Sequence, residues 1–208
     1  MRQTKTSLEQ LMEDRTSVRK YEPGVVIPRE QLQHILEQAT SAPSSSNMQP
    51  WRFLVIDDPK QKKELRVIAK DQEQVETSSA IIAVLGDVKM YENAQQIYDA
   101  NAEKGYMPHE LADLMIKNSL YLYGNAPEDV LKNIVHFDTG LISMQIMLLA
   151  KDMGYDTVSM GGFDKAKFAE KYALPANEIP IVLIAIGKAA APAYGSSRLP
   201  FEQVIRFS

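Results

Sequence analysis

Two rhythms of hydrophobic spacing run along this chain, and each change of rhythm marks an element. Residues 7–14 put Leu8, Leu11 and Met12 on one side, the spacing of a short helix. In "PREQLQHILEQAT" (28–40), Leu32, Ile35, Leu36 and Ala39 share a face, and Pro28 suits a first helical turn. Ala42-Pro43 stops that helix. "RFLVID" (52–57) predicts a strand and "PKQKKELRVIAK" (59–70) a helix that opens at a proline. "AIIAVLGD" (80–87) is apolar without alternation and rich in β-branched residues, as in a strand covered on both faces.

Residues 88–133 are polar and rich in tyrosine, with helical spacing around Leu111, Leu114, Met115 and Leu122. They interrupt the β/α rhythm and are expected to form an excursion or lid. Residues 129–153 follow as a long helix that is apolar around most of its circumference. Such a helix is either central or covered by a second subunit, and Gly154 ends it. "TVSM" (157–160), Gly161-Gly162, a short helix from Asp164 to Tyr172, and "IPIVLIAIG" (179–187), a second fully covered strand, complete the body. The last twenty residues, closing on "FEQVIRF", predict an extended tail able to add an edge strand to a neighbour. The pattern gives one domain over 1–208, of α+β, three-layer type, with buried strands between helices.

Composition narrows the function. Net charge is −4 and no basic run exists to neutralise phosphates, so nucleic acid is not an expected partner. The absence of cysteine removes disulfides, thiolate nucleophiles, zinc–thiolate sites and iron–sulfur clusters. The first residues lack an apolar signal core, and the 134–153 run carries His136, Asp138, Gln145, Lys151 and Asp152, too polar for a membrane span. A cytoplasmic protein with no membrane partner is expected.

Motifs for phosphate loops, the usual dinucleotide turn and the serine-hydrolase elbow are missing, and His34, His109 and His136 have no ligand spacing, so no metal site is expected. An enzyme built this way must borrow reactivity from a cofactor. Four segments could hold one. "DRTSVRKYEP" (14–23) sets Arg15, Ser17 and Arg19 at alternate positions, which in an extended chain converge on one side and suit a phosphate. The same residues also read as a solvated basic stretch at a helix end. Ser44, Ser45, Ser46 and Asn47 offer short donors and acceptors, or an ordinary turn. Gly161-Gly162 lets a backbone lie against a flat ligand, or simply turns ahead of an Asp164 cap. Arg198, in "GSSRLP", is either a phosphate contact or an exposed tail arginine.

Taken in order, the segments resemble the FMN-dependent nitroreductase family. The resemblance rests on "RTSVRKYEPGVVIPREQLQHILEQATSAPSSSNMQPWRFLVI" (15–56), supported by "MGGFD" (160–164) and "SSRLPFEQVI" (196–205). It implies a three-layer fold with a mostly antiparallel central sheet, a long central dimer helix and an extended C-terminal tail. It further implies a homodimer with FMN at the subunit interface and NADH or NADPH as electron donor. Carried over by position, Arg15, Ser17 and Arg198 would bind the phosphate, with Thr16 between them, and Arg19 would lie near the pyrimidine side of the ring. Pro43, Ser44, Ser45 and Asn47 would come from the other subunit. Gly161 and Gly162 would present backbone near flavin N5, and Gln72 or Gln74 would touch the pyrimidine edge. No side-chain acid or base is demanded, since flavin N5 is the reactive atom.

The resemblance thus implies ping-pong hydride transfer to nitroaromatics, quinones or related small electron-poor acceptors. Flavin reductase, another specialised member, or a non-catalytic flavin-binding dimer are the alternatives. The chain departs from the family pattern at Gly161, where many members carry an acid, and at Ser196, where a lysine is common.

Overall fold

The computed structural model describes residues 6–208. Four strands, β1 (Trp51–Ile56), β2 (Ala80–Asp87), β3 (Asp156–Met160) and β4 (Glu178–Gly187), form one sheet in the order β1-β2-β4-β3. Every pairing is antiparallel. β2 is buried along its whole length, as its unbroken apolar run predicts. β4 is fully buried only from Leu183 onward. Apart from Pro180 its first half is only partly buried, and Ile179 and Ile181 lean on a separate cluster with Met48, Tyr98 and Val135.

Helices cover both faces. On one side α3 (Pro59–Ile68), α4 (Glu73–Thr77) and α8 (Lys165–Lys171) bring Leu65, Val75 and Phe168 against Ile81, Ala83, Leu183 and Ala185. On the other, α2 (Arg29–Ala39) and α7 (Glu128–Asp152) bring Leu32, Ile35, Ile142 and Ile146 against Ile82, Val84, Ile184 and Ile186. α1 (Ser7–Asp14) begins with a capping box, Thr6 with Glu9. α5 (Ala94–Glu103) and α6 (His109–Gly124) form the excursion, packed on the first half of α7 through the third cluster.

Local chemistry sets the boundaries. Asp58 and Asp164 cap α3 and α8 by accepting from Gln61 N and Lys167 N. Pro28 is the residue just before α2 rather than in its first turn. The helix expected over 59–70 ends at Ile68, because Lys70 and Asp71 turn left-handed at φ 55° and 58° and α4 starts afresh. The terminal "FEQVIRF" is not extended throughout. Phe201–Val204 makes one helical turn, α9, in which Gln203 N donates to Pro200 O and Ile205 N to Phe201 O. With no strand alongside, local bonds satisfy that backbone.

By length and composition alone α7 could cross a bilayer. In the fold it is a core helix, with Val135, Ile142, Ile146 and Ala150 fully buried. Its outer side is bare within one chain, where Phe137 is 65% exposed. One carboxylate, Asp138, is buried in its middle.

Candidate functional site

The segment after α1 runs beside β3. Ser17 bridges Thr157 in parallel, and Val18 N donates to Thr157 O. Val18 and Tyr21 enter the core. Next to Val18, local alternation turns Ser17 and Arg19 to the opposite side, with Arg15 two residues before Ser17; the alternation lapses before Tyr21, which enters the core again. Because the bridge is parallel, Arg15 lies toward the start of β3 and Arg19 toward its end. Arg15 Nε is buried with no hydrogen-bond partner among the described residues. A guanidinium N–H withdrawn from water and left unpaired costs free energy, and an anion would satisfy it. Among the described residues Arg19 donates to Ser17 O alone, and Thr16 is exposed.

β3 leads straight into Gly161-Gly162. Neither glycine has positive φ, and a Cβ added at either would meet nothing within 4 Å. Backbone geometry and packing within the chain therefore give no reason for glycine, whereas a flat ligand would. From Thr157 to Gly161 the strand advances about 13 Å, so phosphate-seeking and ring-accommodating groups are separated along one line. Gln72 borders the glycines, its amide donating to Gly162 O at 3.2 Å. Gln74 sits behind it, buried, donating to Gln72 Oε1 and Met160 Sδ. Of the two glutamines, Gln72 is the one at the surface of this edge.

The loop from Pro43 to Pro50 is held from within and from both sides. Gln49 N donates to Ser44 Oγ at 3.0 Å, and Gln49 Nε2 to Asn47 O. Ser45 donates twice to Asp138, from N at 3.0 Å and from Oγ at 3.1 Å. Ser46 Oγ shares a hydrogen bond with Tyr123 OH, and Tyr98 OH donates to Ser46 O. Ser46, Asn47 and Gln49 all adopt positive φ, at 49°, 58° and 49°. Non-glycine residues stay there only when their surroundings enforce it. Trp51, at the join, is buried in the α2–α7 cluster and anchors the loop's exit. Burial without a countercharge raises the Asp138 carboxyl above the usual range, against the two Ser45 bonds.

Asp138 is thus a site-supporting residue that sequence reading missed, and Ser46, read there as one of four short donors and acceptors, is held by the two tyrosines. The signal for Asp138 was present as an acid in the apolar middle of a helix whose other acids, Glu128, Asp129 and Asp152, lie at its ends. Of the excursion's tyrosines, Tyr98 and Tyr123 are buried clamps, while Tyr106 and Tyr121 are exposed. A cavity of about 400 Å³ opens between Asn47, Gln49, Trp51 and the excursion residues Asn93, Gln96 and Lys104.

Arg198 is not joined to the rest within a single chain. It donates to Ser196 and to Ser197 O in its own turn. The start of the tail does approach, since Ala191, Pro192, Ala193 and Tyr194 line a small pocket with Ser17 and Arg19. The structure therefore brings together Arg15, Ser17 and Arg19 beside β3, and Gln72, Gln74, Gly161 and Gly162 at its end. Ser44, Ser45 and Asn47 stand apart across α7, with Pro43 at the head of their loop.

The fold is thus an α+β, antiparallel α/β/α sandwich carrying two polar edges. The nitroreductase family model matches residues 12–188, and the chain belongs to that family. It is 44% identical over 197 residues, 94% of each chain, to "Putative NAD(P)H nitroreductase YdgI" of Bacillus subtilis. It is 35% identical, over 88% of this chain and 85% of the other, to the "CLA biosynthesis enone reductase" of Lactiplantibacillus plantarum. Among solved structures, a "putative nitroreductase in complex with FMN" from Exiguobacterium sibiricum superposes with TM-score 0.93 at 44% identity, covering 99% of both chains.

Proposed function

We propose that the chain is an FMN-dependent oxidoreductase that draws electrons from NADH or NADPH and delivers them to small electron-poor acceptors such as nitroaromatics or quinones. Bound FMN would supply the redox chemistry, accepting hydride at N5 and passing electrons on. The chain's own residues bind and orient it. Arg15 and Ser17, joined by Arg198 from the tail, hold the phosphate, with Thr16 on the intervening backbone. Arg19 places positive charge beside the pyrimidine side, which favours the reduced, anionic ring. Gly161 and Gly162 keep the approach to N5 clear, and Gln72 faces the pyrimidine edge with Gln74 fixing its amide. Donor and acceptor then share one open face in turn, which gives ping-pong kinetics.

The working form is a homodimer, in which Pro43, Ser44, Ser45 and Asn47 reach the cofactor of the partner subunit. The bare outer side of α7 and the exposed Leu8 and Met12 of α1 supply apolar surface for that contact. The enone reductase relative supports a second reading of the acceptor, an activated carbon–carbon double bond in place of a nitro group.

One observation carries the proposal: a glycine pair without a packing or backbone reason, placed beside Gln72 at the end of the strand that Ser17 bridges. Gly161→Val tests it. The flavin-free variant should keep its stability within about 0.5 kcal/mol, as surface changes do. Fluorescence titration should show FMN affinity down about ten- to a hundredfold, the effect of forcing 1–3 kcal/mol of overlap into a fitted contact. Unaltered FMN affinity would remove the glycine pair from the site.

A further inference from the structure

Asp138 is more than a fastener needs to be. It is fully buried, in the middle of α7, and both of its hydrogen bonds come from Ser45. An ionised carboxylate can accept about four hydrogen bonds, and burying one with two donors and no countercharge is unfavourable. A serine or asparagine on α7 could tie the loop at lower cost. The carboxylate does something those cannot: it accepts only. The Ser45 hydroxyl must spend its single hydrogen on Asp138, so the lone pairs of Oγ face outward. Ser45 itself is half-buried, so part of its surface is left to meet a ligand. The next residue, clamped between Tyr98 and Tyr123 with left-handed φ, prevents the loop from rotating to change that presentation.

We propose that Asp138 is a positioning residue that fixes the polarity of the Ser45 hydroxyl, making it an obligate acceptor toward a donor group of the flavin cofactor. The inference rests on the reading that the Pro43–Asn47 loop lines FMN, and it adds a residue from outside that loop to the site. It also requires that Asp138 act only through Ser45 Oγ.

Asp138→Asn separates polarity from shape. The amide oxygen can still accept from Ser45 N, while the amide nitrogen now faces Oγ and donates to it, releasing the hydroxyl hydrogen outward. A fastener survives this change and a polarity device does not. In flavin-stripped dimer titrated with FMN, Asp138→Asn should raise Kd about three- to tenfold, the worth of one hydrogen bond, and should shift the midpoint potential of the bound flavin. The melting temperature of the flavin-free variant should not fall. Ser45→Ala should weaken FMN to the same degree, and the double variant should be no weaker than either single one, because both remove one interaction. Wild-type FMN affinity and potential in Asp138→Asn, or additive losses in the double variant, would overturn the proposal. Arg15→Ala is the control for the site. If it weakens FMN while Ser45→Ala does not, the flavin site stands and this inference falls. If wild-type protein takes up no FMN, both fall.

Discussion

At the residue scale, Asp138 also makes a prediction about pH. Its folded carboxyl is pushed up by burial, whereas the unfolded chain leaves it near the ordinary value of about 3.9. The fold therefore holds the proton more tightly than the unfolded chain does. Its contribution to stability is fully present below the unfolded pKa and is lost as pH rises through the folded one. At neutral pH the wild type carries this penalty, and Asp138→Asn does not. Melts of flavin-free protein should show the variant gaining most over wild type near pH 8 and least near pH 4.5. A gain that is constant across this range would mean that charge burial at Asp138 is not its source. The acid itself stands out in the sequence, but its partner Ser45, 93 residues away, does not. Lys62 teaches the same lesson. It looks like one of several solvated lysines of α3, yet it is buried and donates to the carbonyls of Ser78 and Ser79. Which of Gln72 and Gln74 faces outward depends on where Gly162 O lies, a contact that spacing alone does not specify.

At the element scale, close approach of α7 to the sheet is set by Gly86. A Cβ there would lie 2.1 Å from Val135 Cγ1. Val135 is β-branched on a helix and has little freedom to move aside. Gly86→Ala should therefore cost about 1–3 kcal/mol by overpacking, read from urea unfolding of the flavin-free protein, and adding Val135→Ala should recover part of the loss. If Gly86→Ala alone is neutral, α7 sits farther from β2 than the structure has it. This glycine lies inside "AIIAVLGD", where the sequence shows a strand but not the helix above it. Legibility followed the strength of the periodic signal. α2 and α7 fall within a residue of their expected ends because long amphipathic or apolar stretches dominate their surroundings. The break between α3 and α4 was invisible, since Lys70 and Asp71 carry no glycine or proline to announce a left-handed turn. The one-turn α9 was also unreadable, because an exposed tail has no packing to select between turn and extension.

At the scale of the whole molecule, layers were readable and their order was not. Two apolar runs, β2 and β4, demand cover on both faces and so imply helices above and below. That β4 inserts between β2 and β3 follows from pairings across some hundred residues, such as Ile82 with Ile184. A single chain also leaves much unfinished. Beyond Gly195, Leu199, Phe201, Val204, Ile205 and Phe207 are all exposed, and Arg198 meets only its own turn. So much apolar surface on a tail is unfavourable in water unless a second copy covers it. Ending the chain after Gly195 separates the two roles proposed for that tail. No described core residue is removed, so the far-UV signal and the melting temperature of dilute flavin-free protein should change little. Losing Arg198 takes away one charge-assisted contact, worth about 1.5–3 kcal/mol, so FMN affinity should fall about ten- to a hundredfold. Losing the apolar residues should move the dimer–monomer midpoint to higher protein concentration in sedimentation velocity. Arg198→Ala in the full-length chain should reproduce the first effect without the second. Truncated protein that keeps both its flavin and its dimer would show that the tail serves neither, and the phosphate would then rest on Arg15 and Ser17 alone.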